Sequence, residues 1–328
     1  MEEYHMGGKI VSGRMGSSLR RIWTPSLVGV LTIILILQIC SSPTNIIEGI
    51  DIGLTVGDGP PLDEEIIEIG PLEPLSSPVL SPEPSTWESY GVHHPMVIER
   101  DGQYQMWYNG HKSAVRSVKI GYAESDDGVN WERPEEVVQP VMDVIDDSQW
   151  ESGEIGYMWV MFDEDTYKMW YSACPSGSFA YQIGYAESDD GIEWDRETTN
   201  PVLSPGQFSA YSPVVFKHTD GTYYMWYIDT PGSGKQIWLA VSSDGKDWDS
   251  KGRVFGNGDS GADDEHLVGV RDVVYEDGEY KMWYTAGGPG NIWKTFLATS
   301  DDGIEWDRHD TVVLIGSGDY GDYNSRRM

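Results

Sequence analysis

Two short motifs recur four times along this chain, always in the same order, and this repetition restricts the possible fold more than any other feature. The first motif, Tyr-x-Met-Trp-Tyr, begins at Tyr104, Tyr167, Tyr223 and Tyr280. The second contains Ser, Asp-Gly and Trp, and ends at Trp131, Trp194, Trp248 and Trp306, with spacings of 63, 54 and 58 residues. A repeat of this length indicates one structural unit copied along the chain.

Each repeat unit has the pattern of four short β-strands. In the first unit the predicted strands are 95–99, 104–108, 118–125 and a last strand near 137–142. Asp101-Gly102 and Asp127-Gly128 fall between them, and Asp-Gly is a strong signal for a tight hairpin turn. Large side chains on both faces of 104–108 indicate a strand buried between neighbouring sheets. The pattern predicts an all-β fold, a β-propeller of four-stranded blades.

The number of blades is predicted from two fragments outside the four full repeats. The segment Pro-Val-Leu-Ser-Pro at 78–82 copies the last strand of the second unit at 201–205, and a fifth unit start is visible at Tyr320. These fragments favour an incomplete five-bladed ring. A compact four-bladed ring is the alternative.

The composition excludes one class of partner. The chain has 54 Asp and Glu against 22 Lys and Arg, a formal net charge of -32. Phosphate binding needs clustered Lys and Arg, so a nucleic-acid partner is not expected. Hydrophobic residues make up 39% of the chain, enough for a packed core, and 2 cysteines provide no disulfide framework.

The N-terminal part has the pattern of an export signal. Four basic residues precede an apolar stretch at 22–40, so residues 1–42 are predicted to be a signal peptide or an N-terminal membrane anchor. Lipidation of Cys40 is a third alternative. Residues 43–75 are predicted to be a Pro-rich acidic linker, and residues 76–328 the propeller domain. The protein is therefore expected outside the cytoplasm, with membrane contact only through its N-terminal segment.

The two motifs, within four-strand units, resemble the five-bladed propeller glycoside hydrolases, which include arabinanases, β-xylosidases, invertases and levansucrases. The resemblance covers roughly residues 76–328. It implies a site in the central depression, which is lined by the first strand of each blade. Two carboxylates facing one glycosidic bond would be needed for hydrolysis. The chain departs from the family pattern, because His94 precedes Pro95 where the family commonly has Asp.

Candidate site residues follow from this resemblance and from positions at which one repeat carries a residue that the other repeats lack. The candidate catalytic carboxylates are Glu154, Asp272 and Glu265, and Glu151 and Asp264 are second choices. The candidate substrate contacts are His94, Arg271, Trp150, Trp159 and Trp293. The alternatives are solvated acids on the rim, an Arg271 ion pair with Asp272 or Glu276, and tryptophans that pack on the rim. By strand parity, His94 and Asp272 are predicted to face the same depression.

Three functions remain open from the sequence. The chain is either an exported glycoside hydrolase, a non-catalytic propeller that binds glycans or proteins at the cell surface, or an inactive fragment of one of these. A carbohydrate ligand and a monomer are expected. No metal site and no cofactor are predicted, although a structural calcium ion is left as an alternative. The Asp-Asp-Gly turns recur in the units, so we assign them to hairpin chemistry and not to catalysis.

Overall fold

The computed structural model describes residues 47–51, 54–55, 68–69, 73–113, 118–146, 149–205, 208–230, 234–288 and 293–315. These residues form β-strands, turns and loops without any helix, which confirms the all-β prediction. Accordingly, the described part of the chain contains no helix long and apolar enough to span a membrane. The predicted export segment lies outside the described residues.

Four β-sheets form the four predicted blades. The strands that precede them are β1 (Ile47–Asp51), β2 (Leu54–Thr55), β3 (Glu68–Ile69) and β4 (Glu73–Leu80). Blade 1 contains β5 (Gly91–Arg100), β6 (Gln103–His111) and β7 (Lys119–Ser125). Blade 2 contains β8 (Glu154–Asp163), β9 (Thr166–Cys174), β10 (Gln182–Ser188) and β11 (Asp195–Arg196). Blade 3 contains β12 (Ala210–Lys217), β13 (Tyr223–Asp229), β14 (Gln236–Ser242) and β15 (Asp249–Phe255). Blade 4 contains β16 (His266–Glu276), β17 (Glu279–Gly287), β18 (Trp293–Ser300) and β19 (Asp307–Ile315).

Neighbouring strands within each blade are antiparallel, and the chain visits them in order. In blade 1 the fourth strand consists of two isolated pairings, Glu124 with Glu132 and Ile120 with Met142. The first strands β5, β8, β12 and β16 contact one another from blade to blade, which makes them the inner strands.

The two repeated turns have the structural roles that the sequence predicts. Asp101 and Gly102 both adopt left-handed backbone angles, with φ of 54° and 84°, and join β5 to β6. In the second motif the hydroxyl of Ser300 accepts a hydrogen bond from the N–H of Gly303 at 2.8 Å, and Asp302 Oδ1 accepts from the N–H of Glu305 at 2.9 Å. These backbone donors lower the pKa of Asp302. The same hydrogen bonds recur in the other three blades.

The tryptophan of the first motif joins each blade to the next. Trp107 Nε1 donates to the carbonyl of Gly191 at 2.7 Å, and the side chain is fully buried. The corresponding bonds run from Trp170 to Gly245 and from Trp226 to Gly303. Trp283 is 9% exposed, and its indole donates to no residue that the structure describes.

The hydrophobic core lies between adjacent blades rather than in one central mass. Four clusters of buried side chains are present, and each includes one residue from the last strand of the preceding unit: Leu80, Met142, Leu203 and Phe255. The segment at 78–82, which lies before the first full repeat, therefore packs against blade 1 in the way that a preceding blade would.

The segment predicted to be a linker contains strands that continue this pattern. β1 pairs with β4 so that Ile47 lies opposite Leu80. The same register joins Ile120 to Met142, Ile183 to Leu203 and Ile237 to Phe255. β1 and β4 thus take the places of the third and fourth strands of a further blade beside blade 1. The candidate fifth unit start at Tyr320 lies outside the described residues.

Candidate functional site

The four inner strands share an irregularity at the same level, which creates the candidate site. In each of them the pairing with the second strand shifts register, as a β-bulge does. At three of the bulges His94, Tyr157 and Ser212 adopt left-handed backbone angles, with φ of 50°, 47° and 55°. Such angles are uncommon outside glycine, and bulges commonly redirect a side chain next to a functional site.

Polar side chains from the second strands hold these bulges. Asn109 Oδ1 accepts from the N–H of Tyr157 at 3.2 Å, across the boundary between blades 1 and 2. Ser172 Oγ accepts from the N–H of Ser212 at 2.9 Å, across the next boundary. Gly156 is required beside Tyr157, because a Cβ there would lie 2.6 Å from Asn109 Oδ1. The bulges at Tyr157 and Ser212 are therefore each stabilised by the preceding blade.

The bulges surround a small cavity between the inner strands. It has a volume of about 40 Å³ and is lined by His94, Pro95, Met96, Tyr157, Met158, Trp159, Ser212, Pro213, Val214, Val270 and Arg271. This volume accommodates a few water molecules and excludes a sugar ring. A carbohydrate would therefore contact the mouth of the cavity.

His94, which lines the cavity, is hydrogen-bonded to its neighbour His93. His93 Nδ1 and His94 Nδ1 are 2.6 Å apart, so one ring donates its proton to the other. Burial lowers the pKa of His93 to about 3, and the neighbouring His111 adds to this. Burial also holds the pKa of His94 well below its usual value, with smaller contributions from His93, Arg271 and Lys235.

Aromatic rings extend this cluster away from the histidines. The rings of His94 and Tyr157 meet edge to face with centroids 4.7 Å apart. Tyr157 in turn contacts Tyr181 at 6.0 Å and Tyr211 at 6.1 Å. Uncharged aromatic surface next to hydrogen-bonding groups is suited to a ligand with an apolar face and a polar edge.

Arg271 brings a positive charge to the cavity. Its Nε donates to Thr285 Oγ1 at 2.8 Å, and its guanidinium forms no ion pair within the described residues. Neither of the alternative ion pairs, with Asp272 or with Glu276, is present among the described residues, and Glu276 pairs with Lys281 at 3.1 Å. An unpaired guanidinium offers several N–H donors to a hydroxyl or a carboxylate.

The predicted catalytic carboxylates do not line this cavity. Asp272 is 6% exposed, and burial raises its pKa to about 7, although the N–H of Val273 opposes the rise. Asp272 pairs with Trp283 as Met96 pairs with Trp107, so it has the register of Met96, which lines the cavity together with His94. Asp272 itself is not among the lining residues, and the expectation that it faces the same depression as His94 stays a prediction.

The other predicted acids lie at the beginnings of the inner strands. Glu154 is the first residue of β8 and is 4% exposed. Glu265 accepts hydrogen bonds from Ser260 Oγ at 3.3 Å and from the N–H of Gly261 at 2.9 Å, within the loop before β16. These contacts bind the Glu265 carboxylate to its own loop.

Glu151 and Asp264 belong to a repeated structural arrangement. The carboxylate of Glu151 contacts Arg196 Nε at 3.3 Å and accepts from the hydroxyl of Tyr171 at 3.1 Å. The same acid, tyrosine and arginine occur as Glu88, Tyr108 and Arg133 in blade 1 and as Asp264, Tyr284 and Arg308 in blade 4. Because the arrangement recurs, it explains these acids without a catalytic role.

The predicted tryptophan contacts divide into two groups. Trp159 lines the cavity and packs into three of the four core clusters. Trp150 packs against Tyr171 with ring centroids 5.7 Å apart, and Trp293 covers Gly287. His94, Arg271 and Trp159 are thus brought together at the cavity, whereas Trp150 and Trp293 do not line it.

Sequence reasoning missed one buried acid near the cavity. Asp229 is fully buried at the end of β13, and its Oδ2 has no hydrogen-bond partner among the residues that the structure describes. Burial raises the pKa of Tyr211 to about 12, with Arg271 opposing and Asp229 adding to the rise. The signal was present in the repeats, because the equivalent positions carry Gly110, Ala173 and Ala286.

We also searched the described residues for ligands to a metal ion. No group of three or more His, Cys, Asp or Glu side chains within them is arranged to hold one.

Solved structures share this fold. A provisionally assigned glycosidase of Bacteroides thetaiotaomicron has a TM-score of 0.59 at 23% identity, over 74% of this chain and 82% of its own. A structure from the GH130 family of mannoside phosphorylases, which contains glycoside hydrolases that target β-1,2 mannosidic linkages in Candida mannan, has a TM-score of 0.58 at 20% identity. It covers 71% of this chain and 77% of its own. The chain therefore shares the β-propeller fold of these structures.

Sequence comparison assigns the chain to a particular family. Residues 95–272, more than half of the 328 residues, match the glycosyl hydrolases family 32 N-terminal domain, and the chain belongs to this family. The resemblance stated from the motifs is thereby confirmed. Two uncharacterized proteins of Mycobacterium tuberculosis, from two strains, are each 26% identical over 242 residues, which is 69% of this chain and 76% of theirs.

Proposed function

We propose that this protein is an exported propeller that binds a poly- or oligosaccharide without hydrolysing it. The ligand would bind at the mouth of the cavity between the four inner strands, which we call the axial cavity. One observation carries the proposal: the unpaired guanidinium of Arg271 lies beside neutral His94 and the rings of Tyr157 and Trp159. Donors next to aromatic surface match the hydroxyl edge and the apolar face of a sugar ring.

The test is binding to a glycan array, followed by calorimetry with the best ligand. The array includes β-1,2-mannosides, because the family of one structural neighbour contains glycoside hydrolases that target these linkages. Arg271→Ala is expected to weaken binding about tenfold or more, since a hydrogen bond from a charged group contributes about 1.5 to 3 kcal/mol. Lys281→Ala is the control, because Lys281 pairs with Glu276 and does not line the cavity. Equal losses for both variants would contradict the proposal.

Hydrolysis is the second candidate, and the raised pKa of Asp272 favours it. A carboxyl group with a pKa of about 7 holds a proton that it can donate to a leaving oxygen. Chromogenic glycosides separate the two candidates, because the binding proposal expects no turnover. If the wild type turns over a glycoside and Asp272→Asn and Glu154→Gln do not, the function is hydrolysis and not binding alone.

Export is the remaining part of the proposal and depends on residues 1–42. Alkaline phosphatase, which becomes active only after export, would be fused after residue 46. We expect activity in the intact fusion and its loss when residues 22–40 are deleted. An inactive intact fusion would contradict export.

A further inference from the structure

A second cavity, larger than the axial one, opens between the outer parts of blades 3 and 4. It has a volume of about 480 Å³ and is lined by Gln236, Arg253, Val254, Phe255, Gly256, Asn257, Trp306 and Arg308. This is the size of an ordinary ligand pocket. The carboxyl end of β15 and the beginning of β14 meet here, so we call it the blade 3–4 cleft.

Comparison of the repeats shows why this cleft is open. At the equivalent place of blade 1, Lys119 Nζ pairs with Asp143 Oδ2 at 2.6 Å. In blade 2, Ser204 Oγ donates to Gln182 Oε1 at 2.9 Å. Blade 3 has Gly256 at the position of Asp143 and Ser204. The Gln236 side chain therefore lacks the partner that the other two blades provide, and it makes no hydrogen bond with the described residues.

A second departure places a positive charge in the cleft. Arg253 occupies the position of Pro140 in blade 1 and of Pro201 in blade 2. It is exposed and forms no ion pair with any described residue. By contrast, the guanidinium of Arg308 already has protein partners, since it pairs with Asp264 and donates to the carbonyl of Gly256.

An unpaired arginine is unusual in a chain with a net charge of -32. Apart from Arg271 at the axial cavity, the other arginines with described side chains, Arg100, Arg133, Arg196 and Arg308, all form ion pairs. The planar guanidinium binds a carboxylate through two parallel hydrogen bonds, and the amide of Gln236 can bind a hydroxyl group.

We propose that the blade 3–4 cleft binds the carboxylate of an acidic sugar, such as a uronic acid unit, through Arg253 and Gln236. The choice of a sugar over another carboxylate rests on the proposed function. The anion-binding role of the cleft rests on its own residues.

The probe is trigalacturonic acid, with its methyl ester as the uncharged counterpart, and binding is measured by calorimetry. We expect the wild-type protein to bind the acid and to bind the ester at least about tenfold more weakly. Arg253→Ala is expected to lose the same factor. Lys251→Ala removes an equal charge from the same strand outside the cleft, where Lys251 pairs with Asp249, and is expected to stay within about twofold of the wild type.

A second pair of variants tests the shape of the cleft. The nearest atom to a Cβ added at Gly256 is Arg253 Nη1 at 3.7 Å, so a side chain is accommodated. In Gly256→Asp the new carboxylate would pair with Arg253, as Asp143 pairs with Lys119, and binding of the acid should be lost. Gly256→Ala, which adds no charge, should retain it.

Three results would overturn the proposal: no binding of the acid by the wild type, equal binding of acid and ester, or equal losses for Arg253→Ala and Lys251→Ala. The axial site is tested separately, because Arg271→Ala should leave binding of trigalacturonic acid to the cleft unchanged. If Arg271→Ala abolishes this binding and Arg253→Ala does not, the acid binds at the axial cavity and the cleft has no role.

Discussion

The pKa of an aspartate in this protein is lowered at a position that recurs in every repeat and raised at Asp272, which occurs once. Asp302 accepts hydrogen bonds from two backbone N–H groups, which lower its pKa, and its counterparts do the same in every blade. Asp272 occurs once, and burial raises its pKa to about 7. The repeated residue stabilises a turn, whereas burial favours the protonated form of the unrepeated residue.

The pKa of Asp272 predicts a pH-dependent stability. Its value is about 7 in the folded protein against a model value of 3.8, so the folded state binds more protons between these two pH values. The free energy of unfolding should therefore fall as the pH rises through this window. Asp272→Asn, which cannot ionise, should remove this fall and gain up to about 4 kcal/mol over the wild type above pH 7.

Urea unfolding at pH 5 and pH 8 measures this effect. Asp259→Asn, at an exposed position in the loop before β16, is the control and should keep the wild-type pH dependence. An unchanged pH dependence in Asp272→Asn would falsify the assignment of the titrating group.

At the scale of the strand and its turns, the acid–tyrosine–arginine arrangement attaches the last strand of a blade to the segment before its first strand. It is present in blades 1, 2 and 4. Blade 3 lacks it, because Ser250 replaces the arginine and contacts Tyr227 at 3.3 Å. The arrangement therefore belongs to the scaffold, and its loss in one blade is a local departure.

Arg196→Ser converts blade 2 to the pattern of blade 3 and should destabilise the protein. Glu151 is 4% exposed, and removal of its partner leaves a buried charge, which costs about 3 kcal/mol. The double variant with Glu151→Gln should recover part of this loss, because the two residues interact directly. Ser250→Ala is the matched control and should cost less than about 1 kcal/mol. Chemical unfolding gives all four values, and additive losses in the double variant would contradict the interaction.

At the scale of the whole molecule, hydrogen bonds from one blade to the next connect the sheets. Trp107, Trp170 and Trp226 each donate to a glycine carbonyl in the following blade. Trp283 has the same place in blade 4 and no such acceptor within the described part of the chain. The interblade bond is thus a property of the arrangement of blades, not of the motif alone.

The contribution of the interblade hydrogen bond to stability can be measured by making the same Trp→Phe substitution at a tryptophan with the bond and at one without it. Trp107→Phe loses both ring volume and the bond to Gly191, whereas Trp283→Phe loses ring volume without that bond. Trp107→Phe should therefore be the more destabilising by about 1 kcal/mol or more, measured by thermal or urea unfolding. Equal destabilisation would mean that the interblade bond contributes nothing to stability.

Much of the fold could be predicted because its signals are local. The Asp101-Gly102 turn, the alternating strand at 104–108 and the last strand near Met142 are each recognisable within a few residues. The site was predicted less completely. Arg271 and Trp159 depart from the repeats and line the cavity, whereas Asp229 departs from them equally and is missing from the prediction. Glu151 and Asp264 are predicted as candidates, although each forms an ion pair with an arginine that recurs between blades, which only the structure shows.

The sequence by itself determined the all-β class, the four-stranded repeat and the turns, because hairpins and strand alternation depend on neighbouring residues. Only the tertiary structure decided which residues meet. The bulge at His94 changes the side to which the residues before Met96 belong, and no count along an unbroken strand includes that change. The packing of one blade against the next then brings His94, Tyr157, Ser212 and Arg271 around one cavity, because the inner strands converge although the residues are far apart in the chain.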